Sequence, residues 1–160
     1  MKPSPIQLLD YFFTDLHVSA NQTFDPKQEV PLSFEDFEVA LEATKSPENK
    51  REWRVILNLK SQPAAEANVP YRFTVQIVGE FLVLDVYPED HIERLVKTNG
   101  ASMLFGILRE VIRDTTTRGP YSGVILPSAS FYEPQDKSEA APKSAKELAK
   151  PADPIAPRTK

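Results

Sequence analysis

The chain has 160 residues, a formal net charge of −4 and no cysteine. Without cysteine there is no disulfide framework, thiolate metal site or thiol nucleophile. The mild acidity opposes a nucleic-acid protein, whose phosphate contacts need clustered Lys and Arg, and the length suits one domain with room for a tail.

Met1-Lys2-Pro3-Ser4-Pro5 holds one cation, and Asp10 interrupts the apolar run behind it, so no signal peptide is read there. No stretch approaches the roughly 20 apolar residues of a membrane span. A cytoplasmic protein is the expectation. Residues 6–19 are apolar and aromatic, and from Tyr11 they favour a strand. Strict alternation puts Phe12, Leu16 and Val18 on one face and Tyr11, Phe13, Asp15 and His17 on the other. Aromatics on both faces call for burial on two sides or for pairing with another chain. A polar loop with Asp25-Pro26 follows.

Residues 34–44 alternate cleanly, with Phe37, Val39, Leu41 and Ala43 inward and Glu38, Ala40, Glu42 and Thr44 outward. Ser46-Pro47-Glu48-Asn49-Lys50 is turn chemistry, which predicts a hairpin. Residues 52–60 then alternate again, with Trp53, Val55, Leu57 and Leu59 inward. Arg54 and Lys60 are expected across from Glu38 and Glu42. After a second loop, residues 72–87 read as a long strand with a bulge at Gly79, closed by Pro88. Asp90 and Glu93 have capping-box spacing, which predicts a short helix over 90–97.

The clearest periodicity lies beyond it. Met103, Leu104, Ile107, Leu108, Val111 and Ile112 recur at helical spacing, with Asn99 as the N-cap and Gly119-Pro120 as the stop. Tyr121, Val124, Ile125, Leu126, Phe131 and Tyr132 then form an apolar segment too rich in Gly, Pro and Ser for a helix. Residues 133–160 hold five prolines, six alanines and no aromatic, a composition that cannot bury enough apolar surface to order itself. A disordered tail is expected there, with at most a transient helix over 140–149, and the folded domain is placed at 1–132. The fold class is α+β: a four-stranded antiparallel sheet, then a long amphipathic helix and a crossover segment.

Candidate chemistry is thin. Asp85, Glu89, Asp90 and His91 read either as a metal cluster or as a strand end followed by a helix cap; the second needs only ordinary first-turn residues. His17 reads as an outward strand residue. Ser122, Ser128 and Ser130 lack a nucleophile elbow, and Gly100, Gly106, Gly119 and Gly123 form no phosphate loop. No enzyme, cofactor or metal is read. Trp53, Phe73 and Phe81 read as core. Phe105, Tyr121, Phe131 and Tyr132 lie on the helix and crossover, where a small sheet cannot bury every side.

Leu104-Phe105, Arg109-Glu110, Ile112, Arg118-Gly119, Tyr121, Val124, Leu126, Pro127 and Phe131 resemble the signature of the SecB family of bacterial export chaperones. There, a helix bearing Leu-Phe and Arg-Glu ends in Arg-Gly and an aromatic, and an extended crossover with a Pro and a Phe follows; here the proline sits one position later. The resemblance implies an ATP-independent holding chaperone for non-native polypeptide, keeping precursors competent for export. It implies a client groove between sheet, crossover and last helix, at Tyr121, Val124, Leu126, Phe131 and Tyr132. It also implies a homotetramer, a dimer of dimers, with Phe12, Leu16, Leu104, Ile107, Leu108 and Val111 at the contacts. Asp15, Glu38 and Glu42 would face the translocation ATPase SecA. The sequence departs from the family elsewhere too: Ser19 and Thr74 occupy two positions of the family's acidic patch, and the tail stands where a second helix is usual. A SecB-like chaperone or adaptor dedicated to one partner, such as an antitoxin, independent of SecA, is the alternative.

Overall fold

Turn chemistry organises the middle of the chain. In the computed structural model, which describes residues 3–28, 32–64 and 67–132, β2 (Phe37–Lys45) and β3 (Glu52–Ser61) form an antiparallel hairpin. Ser46 Oγ accepts the N–H groups of Glu48 and Asn49 at 3.3 and 3.4 Å, and Asn49 Oδ1 accepts that of Arg51 at 3.0 Å. These are the local bonds by which Ser and Asn stabilise turns. β4 (Tyr71–Val83) pairs with β3, and β1 (Ile6–Ala20) pairs with the far side of β4. The sheet order is therefore β1-β4-β3-β2, antiparallel throughout.

One face of this sheet is the core. Trp53, Val55, Leu57 and Leu59 alternate inward on β3, and every second residue of β4 from Tyr71 to Val83 is buried. Over that face lie α1 (Ile92–Leu95), a π-helical turn (Val96–Gly100) and α2 (Ala101–Thr117), one continuous run. Asn99 is inside this run and caps nothing. Nothing in residues 96–100 breaks a helix, and Val96 and Gly100 are buried against the sheet. The π turn has a geometric reason. Ile92 and Leu104, like Val96 and Leu108, are twelve residues apart, whereas three regular turns need about eleven. The wider turn takes up the odd residue, so both ends of the run keep their apolar side on the sheet. The short helix begins without a side-chain cap; Asp90 lies in the leading 3-10 turn, Glu89–His91.

Gly79 is not at a bulge. It stays in register between Tyr11 and Val55, and a Cβ there would stand 2.7 Å from Leu104 Cδ2. The glycine lets α2 approach the sheet. The bulges are in β1, where the register shifts at Leu8/Asp10 and Phe13/Asp15. Cross-strand partners share a face. Tyr11, Phe13, Leu16 and Val18 lie opposite Gly79, Ile77, Val75 and Phe73 and so face the helix side, while Phe12, opposite Val78, faces away. The extra residue at the second bulge inverts the alternation, so Phe12 and Leu16 point to opposite faces and not to one.

β4 ends at Val83, before the predicted boundary. There Arg51 donates to the carbonyls of Leu84 and Tyr87 at 2.9 and 3.0 Å and pairs with Asp85 at 2.9 Å, holding a turn in place of more strand. Lys60 lies across from Glu38 as expected; Arg54 instead lies across from Thr44 and pairs with Glu80 at 2.8 Å.

At the far end of α2 the Tyr71 hydroxyl donates to the Thr116 carbonyl at 3.0 Å and accepts the Tyr121 N–H at 3.0 Å. A Cβ on Gly119 would overlap that hydroxyl and come within 2.9 Å of Tyr71 Cε1. Gly119 is thus required by close approach to Tyr71 and not by a left-handed cap. The tail, its transient helix and the domain boundary after residue 132 lie outside the described residues.

Candidate client-binding groove

From Thr116 the crossover runs back along α2. Thr116 Oγ1 accepts the Val124 N–H at 2.9 Å, which starts the return. Val124 and Leu126 are 6% and 1% exposed, so both belong to the core and neither offers surface to a client. The ring of Phe131 meets Phe105 edge-on at 5.8 Å, and Tyr132 beyond it is 57% exposed. The crossover therefore ends beside the start of the helical run.

A groove of about 830 Å³ opens at that end. Val39 and Leu41 of β2 form one wall; Asp90, Glu93, Arg94, Lys97 and Thr98 form the other; Ser130, Phe131 and Tyr132 close the end. Val39 also lines a narrower apolar crevice with Phe34, Phe37, Leu59, Phe105, Leu126 and Pro127. Phe34 and Val39 are large apolar side chains left exposed on its rim. The charged wall is internally paired: Lys97 Nζ is 2.6 Å from Glu93 Oε1, and the Arg94 guanidinium sits 5.2 Å from the centroid of the Tyr132 ring, within cation–π range. The lining thus combines apolar area with two acids and two bases. Among the described residues no group of three or more His, Asp and Glu converges on a metal-sized site, and Asp85 is engaged by Arg51. Among them, too, no helix is long and apolar enough to cross a membrane.

The expected site residues separate in space. Phe131 and Tyr132 line the groove. Tyr121 is at the other end of α2, where its hydroxyl donates to the Asn21 carbonyl at 2.8 Å and its ring packs on Phe24 at 4.8 Å. Its role is to fasten the crossover to the loop after β1. Leu104 and Leu108 are fully buried against the chain's own sheet, so they face no partner; Met103, Ile107 and Val111 form the half-buried flank that remains. Asp15, Glu38 and Glu42 are all exposed on the outer sheet face, but at opposite edges. Three strand spacings, about 14 Å, separate them, and Gln76 and Asn58, bonded at 2.6 Å, lie between. Sequence reasoning missed Phe34, Val39 and Leu41 as site residues. Their alternation marks the inward face of β2, but only the strand order shows that this face lies at an edge and is left partly uncovered.

Sheet, helical run and crossover define an α+β fold with an open apolar groove at one sheet edge, and the same fold occurs in a known structure. A Mycobacterium tuberculosis protein, the Rv1957 SecB-like chaperone in complex with a ChAD peptide from the Rv1956 HigA1 antitoxin, aligns with a TM-score of 0.56 and 18% identity over 82% of this chain and 94% of its own. A Streptococcus agalactiae protein of unknown function aligns with a TM-score of 0.42 and 15% identity over 76% and 96%. Comparison with curated proteins gives no match. The family model described as preprotein translocase subunit SecB matches residues 4–137, and the chain belongs to the SecB family of chaperones.

Proposed function

We propose that this chain is an ATP-independent holding chaperone that takes short apolar segments of non-native polypeptide into the groove between β2, the helical run and Tyr132. The observation that carries the reading is the uncovered apolar side chains there: Val39 and Tyr132, 40% and 57% exposed, line the groove, and Phe34, 49% exposed, lines the crevice that shares Val39 with it. Aromatic and aliphatic walls hold apolar segments with little regard to sequence, and several weak contacts along one client add up to tight capture. The protein acts in the cytoplasm as a homotetramer, a dimer of dimers, through the Met103-Ile107-Val111 flank and β1, and presents precursors for export. Contact with SecA through Asp15 or through Glu38 and Glu42 uses one edge of the sheet or the other.

A second reading has its own support. The structural relative from M. tuberculosis holds a peptide of an antitoxin, and a chain of the same fold can serve one dedicated partner of that kind, independently of SecA.

The test is light scattering of several unrelated denatured proteins diluted into buffer without ATP. Suppressed aggregation of most of them at near-stoichiometric protein supports the holdase. Protection of none overturns it in favour of a single dedicated partner.

A further inference from the structure

The π turn carries a pair of residues whose chemistry the fold holds back. Asn99-Gly100 is the single Asn-Gly pair of the chain; the other four asparagines precede Gln22, Lys50, Leu59 and Val69. An asparagine can react with its own main chain. The amide nitrogen of the next residue gives its proton to solvent and attacks the side-chain Cγ. The side-chain nitrogen leaves as ammonia, and a succinimide ring stays behind. Water then opens the ring at one carbonyl or the other, which leaves an aspartate or an isoaspartyl linkage. Bulk on the following residue hinders the approach, and glycine has no Cβ to do so. Asn99 is also exposed, so water reaches its carboxamide.

The folded run keeps the two reacting groups apart. Val96 and Gly100 hold helical angles, φ −65° with ψ −47° and φ −60° with ψ −47°. A helical Cβ tilts toward the N-terminal end of its helix. The Asn99 carboxamide is thus carried back over the preceding turn, away from the Gly100 nitrogen. Turning Asn99 out of the helical range means lifting the π turn from the sheet. Val96 is fully buried there, and a Cβ on Gly100 would stand 3.5 Å from both Phe81 and Val55. We infer that Asn99 is a self-modification site gated by the seating of the π turn. It deamidates in chains whose turn has left the sheet and is spared in chains whose turn is seated. The isoaspartyl product adds a methylene to the main chain where the turn already absorbs one residue. Ile92 and Val96 then lose their phase with Leu104 and Leu108, so the mark outlasts the opening that allowed it.

The test incubates the full chain in mildly alkaline buffer, native and in concentrated urea, and maps its tryptic peptides by mass spectrometry. In urea Asn99 is expected to deamidate ahead of the other four asparagines; another asparagine in front overturns the site. In the native chain its conversion is expected to be slower by at least about tenfold, because the rate scales with the fraction of chains whose turn is open. Equal rates in the two conditions overturn the gate. Val96→Ala removes a buried contact of the turn, so it is expected to raise the native rate by about threefold or more and to leave the urea rate unchanged. Should that variant not fold, Gly106→Ala firms α2 without touching the turn and is expected to lower the native rate. A native rate that follows neither variant also overturns the gate. Gly100→Ala, whose methyl meets Phe81 and Val55 at ordinary contact distance, is expected to slow the urea reaction by about tenfold or more. An unchanged rate would overturn attack by the Gly100 nitrogen. The isoaspartyl chain, separated by chromatography, is expected to unfold at lower urea than its parent, and an equal midpoint overturns the lasting loss of seating.

Discussion

Single side chains divide into those that hold the fold and those left over for a partner, and the crossover shows both. Tyr121 and Tyr132 are the same residue type eleven positions apart. The first has its hydroxyl on Asn21 and its ring between Phe24 and Tyr71. The second stands in solvent beside Arg94. Tyr121→Ala is expected to lower stability by about 2–4 kcal/mol, the cost of removing a packed and bonded ring. Tyr132→Ala should leave stability within about 0.5 kcal/mol and weaken client capture. Urea unfolding followed by the fluorescence of Trp53, the single and well-buried tryptophan, separates the two. Glycines divide in the same way. Gly79→Ala forces a methyl against Leu104 and the Phe81 ring, at 2.7 and 2.8 Å, and should cost about 1–3 kcal/mol. A Cβ at Gly106, inside α2, meets nothing within 4 Å, and Gly106→Ala should stabilise by about 0.5–1 kcal/mol through helix propensity. Equal midpoints for the two variants would refute the close-approach argument.

Elements are where phase matters. If the π turn exists to absorb one residue, deleting Asn99, which is exposed, should give a regular helix with Ile92 and Val96 still on the sheet. The deletion is then expected to fold with a stability change of about 1 kcal/mol or less. A collapse of the unfolding midpoint would show that the wider turn serves something else. The four strands and the helix were legible because alternation at period 2 and recurrence at period 3.6 survive in the residues themselves. What was not legible came from pairing. Thr14, the extra residue of the second β1 bulge, inverts the faces of that strand, yet a threonine in a run of alternating residues carries no mark of being unpaired. Gly79 invites a bulge, and its actual reason is a leucine 25 residues away on the helix. The groove was half legible. Phe131 and Tyr132 stand out as aromatics in a Ser- and Pro-rich stretch, whereas Val39 and Leu41 look like any inward pair until the sheet order puts β2 outermost.

For the molecule as a whole, the question is how much apolar surface one helical run can cover. It leaves Tyr11 and Leu16 of β1, both on its own side of the sheet, 45% and 44% exposed, next to the half-buried flank of Met103, Ile107 and Val111. Exposed apolar area of that kind is what the assembly proposed above would bury. Ile107→Asp is expected to shift the protein to a smaller species in multi-angle light scattering, with its far-ultraviolet circular dichroism unchanged. An oligomer of unaltered mass would move the contact elsewhere.

The pairing of β1 with β4 also sets an order in time. β2, β3 and β4 follow one another through short connections, but Ile6 finds its partner at Val83 and Ala20 at Tyr71, across most of the domain. Closing so long a loop is entropically slow, which places β1 last. Pulsed amide exchange during refolding should therefore protect β3 before β1, and simultaneous protection would refute the order. Until β4 has been synthesised, the ribosome has displayed a 15-residue apolar strand with three consecutive aromatics and nothing to pair with. For that interval the newborn chain is itself an unpaired apolar segment, the class of client proposed above for its finished groove.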